Sequence, residues 1–313
     1  MFFHAGVSWL PAGFLGVDAF FVLSGFLITT LLLNELRHRA TIQLRAFWAR
    51  RARRLLPALL IVLSFCSLFV WLVARPGSYL GFRSDALATL FYVANWHFIV
   101  EHASYFGATS APSPLTHTWS LAIEEQFYLV WPLALLGLSK LGRGLRFLLG
   151  LCVLGAAASA IEMACLLGRG ASLTRLYYGT DTHSQCLFVG AALAASLGLI
   201  AQRRRARGTV PSEELVMGLG GDPAWAAVSP AARQLLSVAG AAGLLGAALL
   251  WVASSWTGTF LFRGGFLLMA LLTALVIASA VCHQRGAVAR MLSWAPLVFV
   301  GRISYGLYLW HYP

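Results

Sequence analysis

Charge is scarce in this sequence. Of 313 residues only 11% are Asp, Glu, Lys or Arg, while 59% are hydrophobic and the mean hydropathy is +0.76. A soluble globular domain carries roughly 25% charged residues, so the shortage excludes that class and points to a chain that crosses a membrane many times. Acidic residues are rarer still, 11 against 23 basic ones, which leaves a formal charge of +12. Such a surplus invites a nucleic-acid partner, but the arginines fall in short clusters between apolar runs of about 20 residues. Clusters so placed set topology and meet anionic headgroups or phosphorylated substrates, and no nucleic acid is expected. There is no C-x-x-C pair. Cys66, Cys152, Cys165, Cys186 and Cys282 stand far apart inside apolar runs, where they read as small buried hydrophobes and suggest neither a metal site nor a disulfide framework. No tandem repeat is visible. The start, Met1-Phe2-Phe3-His4, lacks the basic segment of a cleavable signal peptide, and the last residues stop inside an apolar helical pattern. Both ends are therefore expected to be incomplete.

What the chain has in quantity is long apolar helix. Residues 1–8 read as the last turns of a first helix, with Pro11-Ala12-Gly13 turning out of it. Spans are predicted at 14–33, 55–74, 119–138, 147–167, 183–201, 235–255, 264–282 and 297–313. The densest basic stretch, Arg37 to Arg54, reads as a cytoplasmic loop by the positive-inside rule, and Arg75-Pro76-Gly77 ends the following span on the outer side. Lys140 to Arg146, Arg203 to Arg207 and His283 to Arg290 then share the cytoplasmic side. That alternation holds only if residues 86–100 do not cross. Too short for a span, they are expected to be re-entrant or interfacial, with their backbone covered by protein. The stretch from Glu213 to Pro230 reads as the loosest loop.

The segment Ser113 to Pro132 opens a long helix that carries an imidazole, two carboxylates and a phenol where ionisable groups are costly. At 3.6 residues per turn His117, Ser120, Glu124 and Tyr128 share one stripe, while Glu125 points elsewhere. Topology puts His4, Glu124 and His311 at comparable shallow depths near the outer side. A carboxylate beside an imidazole orients it and stabilises its protonated form, the arrangement needed to take a proton from a hydroxyl. The competing reading for a lone His near a helix end is interfacial. Asp18, one turn into its helix, is either a dipole-favoured cap or a catalytic group. Ser24 and Gly25 read as small residues for close helix packing.

In the last span Ser304, Tyr308 and His311 form one stripe and are candidates to line a cavity with Trp119, Ser120 and Tyr128. Tyr308 and Tyr312 fit interfacial anchoring better on position alone. His183 beside Asp181 suggests an interfacial pair, and His97, His102 and His283 read as structural or solvated. On the opposite side Arg45, Arg50, Arg51, Arg53 and Arg54 stand where a cytosolic polyphosphate would meet them, with Arg50 and Arg53 or Arg54 on one helix face. Topology alone also produces such a cluster.

Four separated motifs carry a resemblance. Gly16-Val17-Asp18-x-Phe20-Phe21-Val22-Leu23-Ser24-Gly25-Phe26, the run Phe47-Trp48-Ala49-Arg50-Arg51-x-Arg53-Arg54-Leu55-Leu56-Pro57, the Ser113 to Pro132 segment and Ile303 to Pro313 are similar, in order, to the bacterial acyltransferase-3 family of membrane O-acyltransferases. The resemblance implies one all-α domain over 1–313, a polytopic transmembrane bundle of about nine or ten spans with the first truncated here. It implies a multi-pass protein of the bacterial inner membrane. It also implies transfer of an acyl group, most often acetyl from acetyl-CoA, to a hydroxyl of a cell-envelope glycan, lipopolysaccharide or lipid-linked glycan, with acyl-CoA as substrate and no bound cofactor. The essential His of the family matches His4. Its Arg-x-x-Arg element, linked to the donor, falls on Arg50 with Arg53 or Arg51 with Arg54. The expected mechanism has His4, oriented by Glu124 or Asp18, acting as base or acyl carrier, and Trp119, Ser120 or Tyr128 stabilising the oxyanion. The rival from another class is a transporter or flippase, since intramembrane ionisable groups also mark transport paths.

Overall fold

Backbone polar groups in hydrocarbon must find partners within their own segment, so apolar runs of this length resolve as helices. The computed structural model describes residues 11–73, 78–101, 113–207, 229–255 and 258–313. Every regular element among them is helical: α1 (Gly16–Arg39), α2 (Leu44–Val73), α3 (Ser78–Leu90), α4 (Ala94–Val100), α5 (Trp119–Lys140), α6 (Leu145–Gly168), α7 (Leu173–Tyr178), α8 (Thr180–Ala206), α9 (Pro230–Ala253), α10 (Phe266–Cys282), α11 (Ala287–Leu292) and α12 (Ala295–Trp310). Among the described residues seven helices, α1, α2, α5, α6, α8, α9 and α10, are long and apolar enough to cross a membrane. The segment expected at 297–313 is helical as α12, whose 16 residues give a length of about 24 Å. The chain is thus the all-helical polytopic bundle that its hydropathy implied. The helix stub 1–8, the turn at Arg75-Pro76-Gly77, His102 and most of the loop from Glu213 to Pro230 lie outside the described residues.

Two expectations need correction. The arginine-rich stretch is not all loop, since α2 begins at Leu44 and carries Arg45, Arg50, Arg51, Arg53 and Arg54 on its first turns. Arginine is a good helix former, and its stem lies along apolar surface while the guanidinium reaches out, so charge does not end a helix here. Cys165 is exposed, unlike the four other cysteines, on a face of α6 that also exposes Leu154 and Ile161.

The basic ends do share one end of the bundle. Arg37 of α1, Ser139 of α5, Arg143 before α6 and Gln202 of α8 border a single hollow. Away from that end α1 and α8 come unusually close: a Cβ on Gly25 would strike the backbone oxygen of Leu187, and one on Gly190 that of Val22. Both positions exclude a side chain, as the packing reading of Gly25 required.

Residues 78–100 form a helical hairpin. Its α3 arm is tied to the start of α5 by Thr89 and Thr118, whose hydroxyls lie 2.9 Å apart. At the tip Tyr92 takes a left-handed backbone (φ 55°), and its carbonyl accepts a 2.8 Å hydrogen bond from Gln126 Nε2, about two turns into α5. The α4 arm then runs back, with His97 Nε2 2.8 Å from Asp85 of α3. The re-entrant reading of 86–100 describes this shape, although the hairpin already starts at Ser78. Its irregular tip meets the condition for such a segment, partners inside the protein.

Buried hydrocarbon falls into two clusters. The larger is built on α1, α5, α6, α8 and α10, around Phe21, Trp119, Ile123, Tyr177 and Phe266. The smaller joins α2, α3, the start of α5 and α12 through Leu59, Val62, Cys66, Phe82, Leu121 and Leu309.

Candidate active site

The polar stripe of α5 faces α1, α2 and α12. Glu124, 6% exposed, has one carboxylate oxygen, Oε1, held by two hydroxyls: Ser24 of α1 donates to it at 2.6 Å, and Tyr128, one turn on, donates to the same atom. Ser24 and Tyr128 hydroxyls also touch each other. Arg51 lies across the Tyr128 ring, its guanidinium carbon 3.4 Å from the centroid, and Nη2 is 3.6 Å from Glu125 Oε1. Trp48 Nε1 donates to the Tyr128 carbonyl at 3.1 Å, fixing α2 against α5. A buried carboxylate costs several kcal/mol unless it is hydrogen-bonded and near opposite charge. Here both conditions are met by side chains from three helices.

One turn nearer the start of α5, Ser120 Oγ lies 3.0 Å from the Tyr308 hydroxyl of α12, which donates to the His117 carbonyl at 2.7 Å. The buried His117 ring packs edge-on against Tyr308 and His311, each with centroids 5.3 Å apart, and stacks on Tyr312 at 5.4 Å. Tyr308 is therefore no interfacial anchor, because its hydroxyl turns inward to satisfy buried polar groups. Ser304 does not join this set. It is exposed on α12 and bonds the Gly301 carbonyl of its own helix.

Asp18 and His183 make a separate centre. Both are fully buried, with His183 Nε2 3.3 Å from Asp18 Oδ1 and Cys186 Sγ 3.4 Å from the same oxygen. Phe21, Trp119, Tyr177 and Phe266 surround the imidazole, ring centroids 5.0 to 6.2 Å away. This corrects the pairing of His183 with Asp181, whose carboxylate instead accepts both arms of the Arg175 guanidinium. Asp18 is in the first turn of α1, where a carboxylate suits the helix dipole, and its side chain meets His183 and Cys186 of α8. Trp119 sits in that aromatic box, stacked on Tyr178 at 5.2 Å.

Against this geometry the comparisons with known proteins are direct. A family model described as an acyltransferase domain matches residues 1–313. The chain belongs to the acyltransferase-3 family. It is 38% identical over 314 residues to the "Peptidoglycan O-acetyltransferase OatA" of Listeria monocytogenes, covering 99% of this chain and 46% of that protein. To the "O-acetyltransferase OatA" of Staphylococcus aureus it is 34% identical over 311 residues, 99% of this chain and 47% of that one. The chain thus spans about half the length of the curated relatives it matches. No solved structure matches it.

In this acyltransferase-3 chain the four arginines Arg50, Arg51, Arg53 and Arg54 have different surroundings. Arg50 borders a second hollow, about 350 Å³, with His38, Arg39 and Gln43. Arg53 and Arg54 are exposed on α2, while Arg51 is turned inward to Glu125 and Tyr128. His4 lies outside the described residues. Sequence reasoning missed Ser24 as a polar partner and missed a closed amide network: Gln126 Nε2 donates to Asn95 Oδ1 at 3.0 Å, Thr180 Oγ1 to Gln126 Oε1 at 2.6 Å, and Asn95 Nδ2 to the Tyr178 carbonyl at 3.0 Å. Ser24 and Gln126 are polar side chains inside apolar runs, and that character was the available signal. Among the described residues no group of three or more His, Cys, Asp and Glu side chains is arranged to hold a metal ion.

Proposed function

We propose that this protein is a membrane O-acyltransferase that moves an acetyl group from acetyl-CoA on the basic side of the bundle to a hydroxyl of a cell-envelope glycan, of the peptidoglycan type that the Listeria relative's name specifies. The observation that carries the reading is Glu124, a buried carboxylate between membrane helices with Ser24 and Tyr128 donating to one oxygen. Such a group is retained in hydrocarbon for function. In the proposed reaction the acceptor hydroxyl attacks the thioester carbonyl, its proton passes to His4, the C–S bond breaks and CoA leaves as the thiol. If transfer runs in two steps, His4 carries the acetyl group between thioester and acceptor. Glu124 orients and stabilises the imidazolium. Asp18 is engaged by His183 and Cys186, which favours Glu124 for that role. The exposed Arg50, Arg53 and Arg54 receive the CoA phosphates, as forked guanidiniums suit phosphate oxygens.

The test uses full-length protein, purified and reconstituted, with labelled acetyl-CoA and a glycan acceptor. Label moves to the glycan in the wild type, and His4→Ala and Glu124→Gln each lower the rate by at least about 100-fold, the low end of general acid–base contributions. Transfer that survives both substitutions removes the mechanism. A solute flux without consumption of acetyl-CoA removes the enzyme reading in favour of transport.

A further inference from the structure

The Arg-x-x-Arg element falls on Arg50 with Arg53 or on Arg51 with Arg54, and the helical turn of α2 separates the four side chains. At 3.6 residues per turn Arg53, Arg50 and Arg54 lie within an arc of about 100°, and all three are exposed. Arg51 lies about 60° beyond Arg54 on that count, and its side chain is only 21% exposed. Its guanidinium carbon stands 3.4 Å from the centroid of the Tyr128 ring and its Nη2 3.6 Å from Glu125 Oε1, so both contacts are with α5. A guanidinium that left them for a phosphate at the basic face would leave behind a carboxylate only 13% exposed, which is costly in hydrocarbon. A cation over a phenol face is held more tightly where water is excluded. This one fixes the plane of the ring whose hydroxyl donates to Glu124 Oε1. It also sets one positive charge beside two carboxylates that are neighbours in sequence, which offsets their repulsion.

We infer that Arg51 is a positioning residue: it clamps the Tyr128 ring and the Glu125 carboxylate so that the Tyr128 hydroxyl stays on Glu124, and it takes no part in holding the donor. The inference rests on the reaction proposed above and divides the arginine motif in two, with Arg50, Arg53 and Arg54 for the coenzyme A phosphates and Arg51 for the buried carboxylate. The two roles differ in kinetics. Losing a contact made equally in the bound substrate and the transition state raises KM for acetyl-CoA, whereas losing the alignment of Glu124 lowers kcat and kcat/KM together.

The experiment measures acetyl transfer and coenzyme A binding by purified, reconstituted full-length protein. Arg51→Gln is expected to lower kcat about 30-fold, the equivalent of a desolvated cation–π contact. KM for acetyl-CoA and the affinity for coenzyme A should stay within about twofold of the unmodified protein's. Arg53→Gln is expected to raise KM roughly tenfold instead, the low end for a hydrogen bond to a charged group. In a Tyr128→Leu background, where the ring is gone, Arg51→Gln is expected to cost no more than about twofold further in kcat, because residues that act through one contact are not additive. Arg51→Gln leaves Glu125 without its counter-charge, so if that variant does not fold, Arg51→Gln with Glu125→Gln replaces it, and the same fall in kcat at constant KM is expected. Weaker coenzyme A binding in either variant would put Arg51 at the donor and overturn the inference. So would an undiminished kcat, or a full additive loss in the Tyr128→Leu background. Absence of acetyl transfer by the unmodified protein would remove the proposed reaction and this role with it, whereas the other three outcomes remove the role alone.

Discussion

Ser24 and Asp18 stand less than two turns apart on α1 and turn to different helices. The Ser24 hydroxyl donates to a carboxylate oxygen of Glu124 at 2.6 Å, and a hydrogen bond to a charged group is worth about 1.5–3 kcal/mol. Ser24→Ala is therefore expected to lower acetyl transfer by roughly 10- to 100-fold if that bond orients the working carboxylate, with membrane abundance unchanged; Tyr128→Phe should act in the same direction. Asp18 belongs to a different ledger, that of folding. Removing one partner of a buried pair costs about 3–5 kcal/mol, so His183→Leu alone should unfold at lower temperature in detergent, and Asp18→Leu with His183→Leu should recover much of the loss. A double variant no more stable than the single one would show that the pair is not what the site needs. Apart from Glu124 with Tyr128, one turn apart on α5, these partnerships are not periodic. Asp18 and His183, or Ser24 and Glu124, are separated by more than 90 positions, and helical spacing identifies a polar face without saying which distant helix it meets. That is why the stripe on α5 was legible and its partners were not.

At the scale of elements, hydropathy placed most helices because lipid demands a nearly uniform composition over a whole span. It placed boundaries less well. The start of α2 was hidden by its arginines, whose long stems tolerate the end of an apolar helix, and the α3 arm was hidden by its modest length. The hairpin of α3 and α4 depends on Gln126, which bonds both the tip carbonyl of Tyr92 and Asn95. Gln126→Leu keeps the volume and removes those bonds. The expected result is a hairpin that detaches from α5: a cysteine introduced at Trp96 should react several-fold faster with a small maleimide in the Gln126→Leu background than in the parent. Gly190→Val tests the other close contact. Its side chain would meet the Val22 carbonyl, so the α1–α8 pair must separate, and folded protein should fall sharply in membrane fractions.

At the scale of the whole molecule the bundle has two distinct ends. The ends of α1, α5 and α8 and the start of α6 meet around one hollow, so cysteines placed at Arg39, Gly142 and Gln202 should share one accessibility, labelled by an impermeant maleimide only after the membrane is opened. Gly170→Cys, at the opposite end of α6, should label in intact cells. Mixed behaviour among the first three would break the topology. Positive clusters made this arrangement readable, because orientation is set by charge counts along the chain and needs no knowledge of tertiary contacts.

The two apolar clusters have a mechanical consequence. Glu124, Ser120, Tyr308 and Arg51 lie along the boundary between the larger cluster and the one built on α2, α3 and α12. Hydrocarbon resists being pulled apart in proportion to the area exposed, and along this boundary hydroxyl, guanidinium and carboxylate groups lie among apolar side chains. Phe47 of α2 and Ala88 of α3 nevertheless reach into the larger cluster, so separating α2 and α3 from α5 would expose hydrocarbon as well as polar groups, and the space beside Glu124 is held at a fixed width by packing on both of its sides.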